Sequence, residues 1–189
     1  MSKALLSNQQ LMAAASKVRL LALDVDGILT DGKLYFGNQG EEFKAFNSLD
    51  GHGIKMLQKS GVSVAIITGR TSKIVSDRAH QLGIKHLVQG REDKLTALKE
   101  LTQNMGLDWQ AMAYMGDDLP DLSAIMQVGL GITVPNAAPI LSQYSQFVTH
   151  REGGGGAVRE VCDLIMQARG SWEDALAAYV LPSEELIHL

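Results

Sequence analysis

Six short apolar runs punctuate the chain: VRLLALDVD (18–26), VSVAIITG (62–69), HLVQ (86–89), AMAYMGDD (111–118), VGLGITV (128–134) and QFVTH (146–150). Most are nearly continuous in hydrophobicity, the pattern of parallel strands covered on both faces. Segments with helical spacing lie between them. Ile74, Val75, Arg78, Ala79 and Leu82 form one apolar-sided stripe behind Thr71 and Ser72, residue types that suit a helix N-cap. Leu95, Leu98, Leu101 and Met105 form a second stripe, Leu122, Ile125 and Met126 a third, and Val158, Val161, Cys162, Ile165 and Met166 the last strong one.

Repeated strand and helix predict a three-layer α/β/α sandwich built on a Rossmann-like, mainly parallel sheet, with residues 1–189 forming one domain. One segment breaks the alternation. In KLYFGNQGEEFKAF (33–46), two strand-like runs flank Gly-Asn-Gln-Gly, which predicts a β-hairpin placed as a flap over the preceding stretch. Residues 171–189 read as a C-terminal tail. The glycine run 153–156 reads as a turn into a helix, although its freedom would also let Arg151 or Arg159 approach an anion.

The bulk properties remove several classes of function. A chain of 189 residues with 46% hydrophobic and 20% charged residues has the make-up of an ordinary globular protein. Its net charge of −4 gives no electrostatic case for nucleic acid or anionic membrane. No run reaches membrane-spanning length, and the N-terminus lacks an apolar core leading to a cleavage site, so a cytoplasmic location is expected. The one cysteine, Cys162, falls within an apolar stripe and reads as a small buried hydrophobe. No histidine has a metal-ligand partner at convincing spacing.

The chemistry gathers at the ends of the runs, where ligands bind in open parallel sheets. Asp24 and Asp26 follow the first run, Thr68-Gly69-Arg70 the second and Gly116-Asp117-Asp118 the fourth; Lys94 opens the helix after the third. Carboxylates from two strands suit Mg²⁺, which takes oxygen ligands and keeps positions for water and phosphate. A hydroxyl and an ammonium can hold the remaining phosphoryl oxygens. A carboxylate beside the cation can attack phosphorus, and a second carboxyl group can protonate the leaving oxygen.

The ordered set DVDG (24–27), Thr68, Lys94 and GDDLPD (116–121) resembles the haloacid dehalogenase superfamily of phosphohydrolases. The resemblance implies Asp24 as nucleophile, Asp26 as general acid and then base, and Thr68 and Lys94 as phosphate ligands. It assigns Mg²⁺ to Asp24, the backbone carbonyl of Asp26, and Asp117, with Asp118 and Asp121 behind these ligands and Asp118 the closer to the metal. Over longer stretches, LDVDGILTDGKLYFGNQGEEFKAFNSLDGHGI, AIITGR, GDDLPDL and GGGGAVREV resemble the lidless 3-deoxy-D-manno-octulosonate 8-phosphate phosphatases. That implies a homotetramer whose hairpins close neighbouring sites, acting on a sugar acid phosphate in lipopolysaccharide precursor synthesis. Arg70 and Arg78 are then candidates for the substrate's anionic groups, and Asn47 to Gly51 for the sugar. Three rivals stand beside this reading: a phosphatase for a nine-carbon sugar acid 9-phosphate, a phosphoacceptor module, and an inactive scaffold. A phosphoacceptor has no use for a second carboxyl group two residues after the first, so Asp26 is the discriminating residue.

Overall fold

All six apolar runs form strands of one sheet in the computed structural model, which describes residues 5–103 and 105–180. In chain order the strands are β1 (Leu20–Leu23), the hairpin strands β2 (Tyr35–Phe36) and β3 (Glu42–Phe43), then β4 (Ser63–Ile67), β5 (His86–Val88), β6 (Met112–Met115), β7 (Leu130–Thr133) and β8 (Phe147–Val148). The main sheet runs β5-β4-β1-β6-β7-β8, and every neighbouring pair is parallel. β2 and β3 pair antiparallel in a separate small sheet, the expected hairpin.

Continuous hydrophobicity follows from burial on both faces. Along β1, Leu21 and Leu23 point into one apolar cluster and Leu20 and Ala22 into the other. The first cluster is closed by α1 (Asn8–Ala15), α2 (Ser48–Lys59), α3 (Lys73–Leu82) and α6 (Ala157–Ala168). The second is closed by α4 (Lys94–Thr102) and α5 (Leu122–Gln127). A short α7 (Trp172–Ala177) follows α6; the end of the tail, residues 181–189, lies outside the described residues. All five residues of the last apolar stripe, Cys162 included, are buried on α6. Burial pushes the Cys162 thiol well above its ordinary pKa, as befits an inert packing residue.

α1 and α2 were not legible as helices. α2 carries Gly51 and Gly53, each costing about 1 kcal/mol against alanine in a helix interior. Packing overrides that cost, because Gly53 is where α6 crosses α2: a Cβ there would lie 2.7 Å from Arg159 Cδ and 3.3 Å from Cys162 Cβ. The two helices are also joined end to end electrostatically. Gly156 at the start of α6 has no capping side chain, and the buried Asp50 of α2 supplies one by accepting from the Arg159 backbone N–H at 2.8 Å.

Strand order also fixes where a site can form. From β1 the chain steps outward to β4 and β5, then returns to the other side of β1 as β6 and continues outward through β7 and β8. The β1–β6 crevice is therefore the topological switch point, where helices on opposite faces part and leave the strand ends open.

Candidate active site

β1 and β6 pair with Leu23 opposite Met115, so Asp24 and Gly116 leave the sheet at the same level. Asp24 is thereby buried at the bottom of a cavity of about 320 Å³. Asp26, Thr68, Arg70, Lys94, Asp117, Asp118 and Asp121 line the same cavity. Sequence reasoning named all of these, and the fold brings them together from four strand ends.

Local structure explains the close approach. After β1 the chain turns tightly, with Gly27 at φ +88° and the Thr30 hydroxyl accepting from the N–H groups of Gly27 and Gly32. A Cβ on Gly27 would fall 2.0 Å from Asp117 Oδ2, so glycine is what allows the two acidic loops to meet. The glycine run adds to this close packing, with Gly153 against the Gly27 carbonyl and Gly154 against the Asp31 backbone. On the β6 side, Thr133 donates to the Gly116 carbonyl at 2.8 Å and fixes the start of the acidic loop.

One ammonium organises two carboxylates. Lys94 Nζ donates to Asp24 Oδ1 at 2.5 Å and to the Ile67 carbonyl at 2.9 Å, and lies 3.3 Å from Asp121 Oδ1. Asp121 is held from behind, accepting from the Tyr114 hydroxyl at 2.7 Å and from the N–H groups of Asp117 and Asp118. Burial works against the charge on Lys94, but Asp24 and Asp121 outweigh it and hold the pKa above its ordinary value. Burial, then repulsion from Asp121, raises Asp24 to about 7 despite Lys94. Burial, then repulsion from Asp24, raises Asp117 to about 7 as well.

Such a set fits a hard divalent cation. Asp24, Asp117 and Asp121 each offer an oxygen within 4.8 Å of the others, and Lys94 pairs with the first and the last of them. Asp121 has its oxygens committed to Tyr114, Lys94 and two backbone amides, so of the three carboxylates Asp24 and Asp117 keep more capacity for a cation. Asp118 is exposed and caps the turn Leu119–Asp121 through the Leu119 N–H, whereas Asp121 shares the buried acidic group with Asp24 and Asp117.

The crowding has a pH consequence. Both raised carboxyl groups bind protons more tightly folded than unfolded, so their contribution is fully present below about pH 4 and is lost as pH rises toward 7. In chelator the thermal midpoint is expected to fall across that window. Magnesium is expected to raise it more at about pH 7.5 than at about pH 5.5, since protons compete for the same oxygens. A midpoint rising steadily with pH in chelator would contradict this assignment.

The hairpin was expected beside this stretch, but its contacts with Asp26 were not. The hairpin sends Lys44 inward, its side chain only 2% exposed, and Nζ donates to Asp26 Oδ1 at 2.5 Å. Glu42 lies 3.4 Å from the same amine and accepts from the Ser72 hydroxyl at 2.8 Å, so Ser72 ties down the hairpin and makes no side-chain cap to α3. Arg70 stands 3.9 Å from both Asp26 and Glu42, with its guanidinium over the Phe36 ring. The spacing Glu-x-Lys, with both side chains on one face of a strand, was the available signal.

Three candidate substrate contacts are not among the residues lining the cavity. Asn47 is the N-cap of α2: its side chain accepts from the Leu49 N–H at 2.8 Å and donates to the Gly154 carbonyl at 3.2 Å. Gly51 lies in the first turn of α2, directly against the Arg78 guanidinium. Arg78 borders a separate surface cavity and stacks on Phe46. Arg151 and Arg159 face another groove, with Arg159 engaged by Asp163 at 2.7 Å.

Comparison with known proteins agrees with this geometry. Residues 86–160 match the family model for a haloacid dehalogenase-like hydrolase. The chain is 52% identical to the 3-deoxy-D-manno-octulosonate 8-phosphate phosphatase of Yersinia pestis over 161 residues, covering 85% of this chain and 86% of that protein. It is 49% identical to the enzyme of that name from Salmonella typhi, covering 87% of each. The crystal structure of the Moraxella catarrhalis 3-deoxy-D-manno-octulosonate 8-phosphate phosphatase, in complex with magnesium ion, phosphate ion and KDO, superposes with a TM-score of 0.90 at 45% identity, covering 92% of this chain and 100% of that one. An acidic cluster at the β1–β6 switch point, a parallel α/β sandwich and half-identical relatives matched over most of their length lead to one conclusion: the chain belongs to the 3-deoxy-D-manno-octulosonate 8-phosphate phosphatase family of the haloacid dehalogenase-like hydrolases.

Proposed function

We propose that this chain is a magnesium-dependent phosphomonoesterase that hydrolyses 3-deoxy-D-manno-octulosonate 8-phosphate to the free sugar acid and phosphate, in lipopolysaccharide precursor synthesis. The observation that carries the reading is the pairing of a buried Asp24, held by Lys94, with Asp26 in the same cavity. Asp24, the Asp26 carbonyl and Asp117 would hold magnesium, which when bound would offset the repulsion between the Asp24 carboxylate and an anionic phosphoryl group. Asp24 attacks phosphorus in line with the ester oxygen; the new O–P bond forms as the ester O–P bond breaks, leaving an aspartyl-phosphate. Asp26 gives its proton to the departing sugar oxygen. As a carboxylate it then takes a proton from water, which attacks phosphorus and regenerates Asp24. The Thr68 hydroxyl and the Lys94 amine hold the phosphoryl oxygens during both steps. Arg70, at the mouth of the cavity, is suited to the anionic end of the sugar acid.

The functional unit is a cytoplasmic homotetramer in this reading. Its support is the hairpin, where Tyr35 is 46%, Phe36 63% and Phe43 62% exposed, an apolar surface that a second copy would cover. Among the described residues, no helix is long and apolar enough to cross a membrane.

Phosphate release from a panel of esters tests the proposal. Release is expected to need magnesium, to stop with chelator, and to be fastest for the octulosonate 8-phosphate. Preference for a nine-carbon sugar acid 9-phosphate would keep the mechanism and change the substrate; no release from any ester would remove the enzyme reading.

A further inference from the structure

The hairpin is open to solvent on its outer apolar side, yet it carries one ammonium that solvent hardly reaches. Lys44 Nζ sits on Asp26 Oδ1, with Glu42 Oε1 at 3.4 Å as its other carboxylate neighbour. Glu42 is anchored in turn, through Oε2, to the Ser72 hydroxyl at the start of α3. The chain of contacts Ser72–Glu42–Lys44–Asp26 therefore runs from the main fold, through the hairpin, and back to the loop that follows β1. A buried lysine between two carboxylates is restrained, because turning away would leave charges unpaired.

Asp26 is asymmetric as a result. Oδ1 is occupied by Lys44, whereas among the described residues the ion-pair partner of Oδ2 is Arg70 at 3.9 Å, beyond hydrogen-bond reach. An acid that must hand a proton to one leaving oxygen needs one carboxyl oxygen fixed and the other free to carry it.

We propose that Lys44 is a positioning residue for the general acid: by holding Asp26 Oδ1 it fixes the carboxyl rotamer and leaves Oδ2 as the oxygen that delivers the proton to the sugar. The inference rests on the phosphatase reading above and adds to it a role for the hairpin inside its own subunit. No bond changes at Lys44. The proton travels from Asp26 Oδ2 to the ester oxygen as the O–P bond breaks, and Lys44 keeps its charge throughout.

The test compares two esters that differ in their need for an acid. Lys44→Gln and Lys44→Arg are assayed with magnesium on the sugar acid phosphate, whose alkoxide leaves poorly, and on 4-nitrophenyl phosphate, whose phenolate leaves without help. Lys44→Gln is expected to lose on the order of 10²-fold in kcat on the sugar phosphate, and no more than about 3-fold on the nitrophenyl ester. Lys44→Arg, which keeps a donor to Oδ1, is expected to recover much of the loss on the sugar phosphate. Asp26→Asn is expected to lose activity on both esters, and more on the sugar phosphate, because it removes the acid of the first step as well as the base of the second. Equal losses on both esters, or no loss on the sugar phosphate, would overturn the positioning role while leaving the phosphatase reading in place. If Lys44→Gln does not fold, Lys44→Met takes its place in the same comparison, and equal losses on the two esters overturn the role in the same way. A wild-type chain silent on both esters would instead remove the phosphatase reading, and this inference with it.

Discussion

Asp24→Asn is expected to abolish phosphate release while leaving the fold intact. The amide has the size of the carboxylate and keeps an oxygen to accept from Lys94, so the packing at the end of β1 is preserved. What it loses is the attacking oxyanion, for which no neighbour can substitute: Asp121 is committed to Tyr114 and two backbone amides, and Asp117 leaves from a different strand. Loss of a covalent nucleophile costs on the order of 10⁴-fold or more in kcat/KM. Stability in chelator should hold or rise, because burial and Asp121 oppose the Asp24 charge in the folded chain. Kinetics and a melting curve on the same preparation check both halves. Activity near that of the wild type would sink the mechanism, and a collapsed melting transition would show that Asp24 holds the fold instead.

Lys94→Met reverses that balance, with a large effect on stability as well as on turnover. Methionine can follow the course of the lysine stem, but Asp24 and Asp121 both lose the cation that pairs with them. Removing one partner from a buried ion pair costs about 3–5 kcal/mol, since the remaining charge stays desolvated. The cost should be greater at about pH 8 than at about pH 6, because the unpaired carboxyl groups can take up protons at the lower pH. Turnover should fall on the order of 10²–10³-fold through loss of a phosphoryl ligand. A double variant, Lys94→Met with Asp24→Asn, should be more stable than Lys94→Met alone, because neutralising Asp24 removes much of the stranded charge. Denaturant midpoints for the four chains of this cycle read the coupling directly. No coupling between the two sites would mean that Lys94 acts on the phosphate alone.

Whatever had a local pattern was legible from the residues alone. Continuous apolar runs are set by the requirement that a strand covered on both faces exclude polar side chains, so the six strands and their parallel pairing could be read directly. The same holds for the α3 and α6 stripes. The catalytic set was readable because each member follows a strand, and strand ends in a parallel sheet point one way. α2 was hidden because its glycines argue against a helix; they are there for the close crossing with α6, a contact between residues far apart in sequence. Asn47 and Gly51 were candidates for the sugar through the resemblance; their places as the N-cap of α2 and the seat of Arg78 depend on that helix, which its glycines hid.

By itself, then, the chain determined the layered fold, the address of the site and the residue types that meet there, because hydrophobic period and strand-end position are properties of neighbouring residues. Only the tertiary structure decided which carboxylates are free for a cation, that Asp121 stands behind Asp24 and Asp117, and that Lys44 reaches Asp26 from the hairpin. Those are pairings between segments whose charges are chosen for each other's distance and burial, and desolvation acts only after the chain has closed around them.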